Sequence, residues 1–553
     1  MDNNNIKLNL KYASEVLDGI ENLPKGSVCL VKSQTMTGKT TAILGNEKLG
    51  IKGLIDKIRD KSLIYLCNRI TLKRQLKLDL CKKYNIDIPK NDDGTIDYKE
   101  LDKLENIGKV TIMSYQSLEE NVRKRESFIA ETDYWHKCNL FELNYDYIVC
   151  DEFHYILKDA GFNGKTRLSF TEITKCWYTN SVLIYMTATD EEVKPIIENT
   201  LSILEKYNLG EMQFTKDKYF HYYDSGIDYS YCDIKYFKKY KDIITTIKNS
   251  PLEEKWIWFT TSIDGAERRL KALKECGIDA EFISAKENDK VKNEITETNK
   301  FSSKVLITTT VLDNGVNIKD ETLNNMVIES FDAITFIQEL GRKRMTLDNV
   351  TKINLYIPVR NSSNFNIKIG DLKKEIDLIE LFEKDRRKFD AKTDYKLGLL
   401  NNAFYKINGE IKINELYYAR VIKDYNKFIK YSEELDKDPW YFIKEQLKWL
   451  GLEHTFNIGN LIENVVDNED AQSLEEYLNN NVGRLYLKED KDELINMINL
   501  RDSRNRLQKQ PSLLKEYLEG NFNLTLKSDC ETSRIIDGKK KKIKHCWKLI
   551  KFE

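Results

Sequence analysis

Ser33-Gln34-Thr35-Met36-Thr37-Gly38-Lys39-Thr40-Thr41 follows the apolar run Ser27-Val28-Cys29-Leu30-Val31 and leads into Ala42-Ile43-Leu44, which favours a helix. That order predicts a strand, a phosphate loop and a helix. In such a loop consecutive backbone N–H groups and the helix N-terminus surround the phosphates of a nucleotide. Lys39 reaches the β/γ oxygens and Thr40 offers its hydroxyl to Mg²⁺, so nucleotide contacts are expected from Ser33, Gly38, Lys39, Thr40 and Thr41. The loop departs from the strict G-x-x-x-x-G-K-[ST] form in having Ser33 at its first position, and Met36 stands where such loops often carry glycine. Neither change removes a phosphate donor, because the donors are backbone groups plus Lys39. Both are expected to shift loop geometry and affinity for ATP or GTP.

A second element strengthens the reading. Tyr145-Asp146-Tyr147-Ile148-Val149-Cys150 has the composition of a buried strand and delivers Asp151-Glu152-Phe153-His154 at its C-terminal end, where open α/β sheets place their ligands. Two adjacent carboxylates there divide the work. Asp151 holds the Mg²⁺ through water, and Glu152 orients or deprotonates the attacking water. The competing reading is a solvated acidic loop.

With these two elements in hand the chain resembles superfamily 2 helicases and translocases of the DExH-box kind, and the family's other motifs appear in order. Leu63-Ile64-Tyr65-Leu66-Cys67 with Asn68-Arg69 resembles motif Ia, Val110 to Gln116 motif Ib, and Met186-Thr187-Ala188-Thr189 motif III. Trp256 to Thr261 resembles motif IV, Val305 to Thr309 through Asp313-Asn314-Gly315-Val316-Asn317-Ile318 motif V, and Gln338-Glu339-Leu340-Gly341-Arg342-Lys343-Arg344 motif VI. The resemblance covers about residues 20 to 360 and lapses beyond. It implies ATP hydrolysis between two RecA-like domains, with nucleic acid across both. It also implies roles: Asp313, Gly315 and Asn317 toward the nucleotide, Gln338 toward the attacking water, Arg342 and Arg344 toward the γ-phosphate. His154, Thr187 and Thr189 are then coupling residues, and Asn68, Arg69, Ser114, Tyr115, Thr261 and Thr309 nucleic-acid contacts.

Motif VI departs from the family's common spacing Q-x-x-G-R-x-x-R, which would put the second arginine at Met345. Its G-R-x-R form resembles the branch that includes herpesvirus origin-binding proteins. A one-residue shift on a helix turns a side chain by about 100°, so Arg344 is expected to serve only if the motif VI helix is rotated or starts differently.

The whole chain fits this frame. Its 553 residues are too many for one core and suggest three or four domains. The expected divisions are residues 1–195 as the first RecA-like domain, 196–231 as a linker, 232–360 as the second, and 361–553 as a mainly helical accessory region. The fold class is therefore α/β, two tandem RecA-like domains with parallel sheets. Basic and acidic residues cancel, 88 against 89, so any nucleic-acid footprint must be local. Ten cysteines without a C-x-x-C pair argue for reduced thiols and an intracellular, cytoplasmic protein, and no run of residues is apolar enough for a membrane span.

Near 510–553, two strand-like runs flank Asp537-Gly538, with eight Lys or Arg between Arg534 and Lys551. Together with a helix over Ser512 to Glu519 they make either a winged-helix module whose Lys540 and Lys542 touch phosphates or a solvated tail hairpin. Two features compete for attention. Asn91, Asp93, Gly94, Asp97 and Glu100 fit part of a calcium loop, but its first position would be Pro89, so a surface turn is expected. The tyrosines between 219 and 231 are expected to pack the linker in preference to stacking on bases. Three functional alternatives remain open: a duplex translocase of a defence system, a sequence-recognising replication initiator, and a scaffold with a decayed motor. DNA is favoured over RNA by the G-R-x-R branch and the possible winged helix.

Overall fold

The structure is a computed structural model. It describes the chain except residues 1–5, 69, 133–140, 160–165, 177–180, 208–214, 285–290, 292–293, 296–297, 310–317, 394–402, 408–409, 463–473, 475–476, 501–506, 523, 537–538 and 552–553.

Apolar runs of four to six residues, bounded by polar turns, become central strands buried on both faces. Strands β1 (Val28–Lys32), β2 (Leu63–Cys67), β3 (Asn106–Ile107), β4 (Val110–Ser114), β5 (Tyr147–Cys150), β6 (Val182–Thr187) and β7 (Phe220–Asp224) form one sheet in the order β3-β4-β2-β5-β6-β1-β7. All its pairings are parallel except β3 with β4. The period of two sends alternate residues to opposite cores. Cys29, Val31, Tyr65, Val149 and Ile184 pack in one cluster, whereas Val28, Leu30, Ile64, Ile148 and Leu183 pack in the other. A second sheet has β8 (Cys232–Phe237), β9 (Lys255–Phe259), β10 (Ala280–Ile283), β11 (Val305–Thr308), β12 (Leu323–Ile328), β13 (Ile353–Pro358) and β16 (Leu461–Ile462) in the order β10-β11-β9-β12-β13-β8-β16, all parallel. These are the expected tandem RecA-like domains.

The expected boundaries move in two places. Helix Lys194–Tyr207 and β7 lie in the stretch read as linker, yet β7 pairs with β1 as the edge of the first sheet. The connector shrinks to residues 225–231, and Tyr219, Tyr229 and Tyr231 are buried, as packing residues should be. Residues 361–462 are likewise no free appendage. From them Phe365, Tyr431, Phe442 and Trp449 join the second domain's core, and Leu461–Ile462 supplies its edge strand. Sequence periodicity sees local amphipathicity but not which sheet edge a short strand will find. In this region β14 (Phe404–Ile407) and β15 (Glu410–Ile413) form a hairpin.

Residues 463–553 form a separate unit. Its order is β17 (Leu485–Tyr486), helix Lys488–Ile498, helix Pro511–Phe522, β18 (Leu524–Ile536) and β19 (Lys539–Lys551), with antiparallel strand order β17-β19-β18. Leu494, Leu514, Leu518, Leu524, Trp547 and Leu549 fill its core. The two helices thus lie in sequence between β17 and the β18–β19 hairpin.

The partial calcium loop is a turn. Asp93 accepts from the backbone and hydroxyl of Thr95, Asp97 caps helix Tyr98–Lys103, and Glu100 pairs with Lys103. Among the described residues no helix is long and apolar enough to cross a membrane.

Candidate functional site

The phosphate loop sits between β1 and helix Lys39–Leu44. Gly38, in the left-handed region at φ 76°, turns the chain into the helix. Lys39 Nζ donates to the Ser33 carbonyl at 3.0 Å and meets Glu152 Oε1 at 3.1 Å. A cleft of about 750 Å³ opens over the loop, lined from the first domain by Lys39, Thr40, Thr41, Asp151 and Glu152 and from the second by Lys319 and Arg344. Asp151 is held by the Tyr65 hydroxyl, which donates to its Oδ2 at 2.8 Å and lies 3.5 Å from Thr40 Oγ1. Tyr65 thus bridges the two expected Mg²⁺ donors. Sequence reasoning passed over it because it reads as one more apolar residue of β2; burial and the adjacent Asp151 push its hydroxyl pKa well up.

Glu152 adopts φ 49°, a left-handed conformation that costs a side-chain-bearing residue roughly 1–3 kcal/mol and clusters at functional sites. It aims at both Lys39 and His154, whose Nδ1 lies 3.4 Å from Glu152 Oε2. The same nitrogen lies 2.9 Å from Thr187 Oγ1, and Thr187 and Thr189 exchange hydrogen bonds at 3.0 Å. Across the cleft the Gln338 amide nitrogen meets His154 Nε2. With Nε2 accepting from Gln338, Nδ1 carries the proton and donates. The structure therefore brings Glu152, His154, Thr187, Thr189 and Gln338 into one chain of contacts across both domains.

Motif VI corrects the expectation of a rotated helix. Helix Ala333–Leu340 ends before the arginines, Arg342 lies in the turn that follows, and Lys343 is bridged in parallel to Ile318: Ile318 N–H donates to the Arg342 carbonyl and Arg344 N–H to the Ile318 carbonyl. Arg342 and Arg344 both line a small space with Thr35, Glu152 and Gln338, while Lys343 turns to Asn324 Oδ1 at 3.0 Å. No helical rotation is needed. Gly341 permits the approach, since a Cβ there would stand 2.8 Å from Thr35 Cγ2 of the phosphate loop.

Residues 8–192 match the family model described as type III restriction enzyme, res subunit, and residues 238–344 match the helicase conserved C-terminal domain. The two matches fall one on each sheet domain and support a superfamily 2 helicase core. No curated protein matches the chain. Among solved structures it is similar to S. cerevisiae Dbp5 bound to RNA and ADP BeF3, at 17% identity over 63% of this chain and 83% of that one, with TM-score 0.38. It is also similar to Mss116p bound to ssRNA and AMP-PNP, at 14% over 83% and 88% with TM-score 0.44. For the Mycobacterium smegmatis helicase Lhr bound to ssDNA and AMP-PNP the values are 14%, 65%, 47% and 0.41.

The expected nucleic-acid residues take unequal positions. Asn68 and Ser114 line a groove of about 860 Å³ on the first domain, with Lys73, Lys77 and Lys124 beside Asp102, Glu105 and Glu120. Thr261 and Thr309 come just after the adjacent strands β9 and β11, with Thr261 exposed. Tyr115 is a correction: its ring is 2% exposed, stacks on Tyr155, and its hydroxyl donates to the Asp151 carbonyl at 2.9 Å. It supports the backbone of Asp151, the expected Mg²⁺ carboxylate, and presents almost no surface to a polymer. Arg69, Asp313, Gly315 and Asn317 lie outside the described residues, as does the side chain of Lys540. Lys542 is exposed and pairs with Glu531.

Proposed function

We propose that the chain is an ATP-driven helicase or translocase acting on nucleic acid, with DNA as the polymer. The observation that carries the reading is the contact of Gln338 with His154, because it joins the carboxylate beside Lys39 to the position of the opposite domain. Lys39 meets the β/γ-phosphates, Glu152 orients the attacking water, and Arg342 and Arg344 neutralise charge on the transferring phosphoryl group. Thr40 and Asp151 suit Mg²⁺, a hard cation held by one or two protein oxygens plus phosphates and water. When bound, the ion stabilises negative charge on those phosphates. Closure completes this site and opening dismantles it, so turnover moves the domains past a backbone held at Asn68, Ser114, Thr261 and Thr309. Such contacts carry little sequence information.

The preference for DNA rests on the G-R-x-R form of motif VI, and a nucleic-acid contact is supported by the unit 463–553. Its basic ribbon, with Arg534, Lys539–Lys542 and Lys544, suits phosphates. The second helix, Pro511–Phe522, carries two glutamates against one lysine, a poor charge for entering a groove. This favours a backbone-gripping motor over a sequence-recognising initiator. The free cysteines among the described residues agree with a reducing, cytoplasmic setting.

ATPase rates with single-stranded DNA, duplex DNA and RNA side by side test the reading. DNA is expected to stimulate most, and Glu152→Gln to bind ATP without turning it over. Equal stimulation by RNA would remove the DNA preference, and no stimulation by any polymer would remove the motor.

A further inference from the structure

The two positions at which the phosphate loop departs from its common form, Ser33 and Met36, are both engaged away from the nucleotide. Ser33 Oγ is buried 2.5 Å from Thr37 Oγ1 and 3.1 Å from Ser225 Oγ. Between the two positions lies Gln34, 1% exposed. Its amide nitrogen donates to the Asp228 carbonyl at 3.0 Å, and its amide oxygen accepts the Asp228 N–H at 2.8 Å. Both ends of one buried side chain are thus committed to one backbone unit. Ser225 and Asp228 belong to the seven-residue connector between the two sheets. Met36 holds φ 82°, which glycine adopts freely and a side chain does not, and it packs against the cluster in which the second domain's core is continuous with Leu8 and Ala188 of the first.

Glycines at 33 and 36 would leave the backbone phosphate donors and Lys39 in place and lose the Ser225 bond and the apolar contact. We propose that Ser33, Gln34 and Met36 are positioning residues that tie the phosphate loop directly to the interdomain connector and the second domain, so that nucleotide loading is transmitted to domain geometry through the loop itself. Lys39 supplies the trigger. Its ammonium holds the Ser33 carbonyl and Glu152, and phosphate oxygens, carrying full charge, draw it from the neutral carbonyl. The peptide then released joins Ser33 to Gln34, the two residues whose side chains hold Ser225 and Asp228. A displacement there moves the connector before any arginine of the second domain is engaged.

This inference rests on the motor reading above, and the test separates the two. In the full-length protein, affinity for a single-stranded DNA oligonucleotide is measured with and without a non-hydrolysable ATP analogue. The ratio of the two affinities is the coupling between sites, and it must reappear in the analogue's affinity with and without DNA. The parent is expected in the roughly 5- to 150-fold range of such couplings. Gln34→Glu keeps the acceptor but sets a carboxylate against the Asp228 carbonyl. Met36→Gly removes both the strain and the contact, and Ser225→Ala leaves the loop sequence intact. All three are expected to bring the ratio toward one while the analogue still binds, and Met36→Gly to do so without lowering the melting temperature, which a merely structural role would not produce. Ser225→Ala and Met36→Gly carry the test should Gln34→Glu lose nucleotide. Parental ratios in these variants overturn the inference alone; a parent whose ratio is one overturns the motor reading and the inference with it.

Discussion

The two halves of the core are the same sheet built twice. In spatial order the strands run β4-β2-β5-β6-β1-β7 in the first and β11-β9-β12-β13-β8-β16 in the second, so β1 and β8 occupy equivalent places. The segments that leave these two strands are unlike. After β1 comes a six-residue loop, 33–38, with Gly38 in the left-handed region, and a helix opening on Lys39. After β8 come Lys238 and Lys239, and helix Tyr240–Asn249 starts with no glycine loop. One half can hold phosphates on backbone donors; the other meets the same cleft with Lys319 and Arg344. Their buried charges differ accordingly. Asp151 stands near the phosphate loop with a neutral Tyr65 hydroxyl on it, whereas Glu329 of the second half is held by Arg269 at 2.8 Å and by Trp258 Nε1 at 2.6 Å. A sheet is a scaffold, and loop chemistry decides what each copy does.

The sharpest way to break this division of labour is in motif VI. Arg342→Ala is expected to lower ATP hydrolysis by roughly 10³-fold or more, and Arg344→Ala at least about tenfold, with ATP binding largely kept. Lys343→Ala should leave the rate within about threefold, since residue 343 faces Asn324 and not the cleft. A Lys343→Ala loss as deep as that of Arg344→Ala would mean that Lys343 does not face Asn324 in solution.

A second prediction concerns the buried pair. Arg269→Ala leaves Glu329 buried without its cation and is expected to cost about 3–5 kcal/mol in denaturant unfolding. Nucleotide affinity of the surviving folded protein should stay near the parent's, because the phosphate loop belongs to the other sheet. Equal loss of affinity and stability would show that the halves do not keep separate duties.

Lys343 gives a pH signature confined to the second half. It is 4% exposed, and burial pulls its pKa down to about 8, a drop partly offset by Asp320 and Glu321. Below pH 8 folded and unfolded chains both carry the proton, and the folded state bears the whole penalty, about 3 kcal/mol at about 1.4 kcal/mol per pH unit. Between pH 8 and the usual lysine value of 10.5 the folded state releases the proton while the unfolded chain keeps it. This contribution to stability therefore rises with pH. Lys343→Met should be more stable than the parent by about 2 kcal/mol at pH 7, the bond to Asn324 being lost, with the gap closing as pH approaches about 10.5. A gap that does not change with pH would mean that Lys343 keeps its proton in the fold.

The smallest effect lies in the first half. Asp97→Ala removes the carboxylate that caps helix Tyr98–Lys103 and is expected to cost about 1 kcal/mol. Calcium added to the parent should leave its melting temperature unchanged, and a calcium-dependent rise would revive the loop as a metal site.

Much of the site was legible in the residues because its chemistry is local. Lys39 and Thr40 are adjacent, Asp151 and Glu152 come directly after one apolar run, and each set needs only a strand end and the next loop. Tyr115 was misread for the opposite reason: whether a tyrosine at a strand end faces solvent or a neighbouring carbonyl depends on what packs behind it. Tyr65 was missed because period-two burial says which core a strand residue enters and not which polar atom waits there. The connector was overdrawn because β7 is half-exposed, with no strong apolar run to announce a strand.

The sequence by itself determined that there are two α/β halves and which of them carries the phosphate loop, since periodicity and motif chemistry act within a dozen residues. Tertiary structure decided the rest. It ended the motif VI helix at Leu340, and Arg342 and Arg344 line one space. It gave the edge of each sheet to a strand from outside the expected domain, and it tied Gln34 to Asp228, 194 residues away. These outcomes depend on hydrogen-bonding groups that find partners only when distant segments are packed together, and no local pattern encodes that pairing.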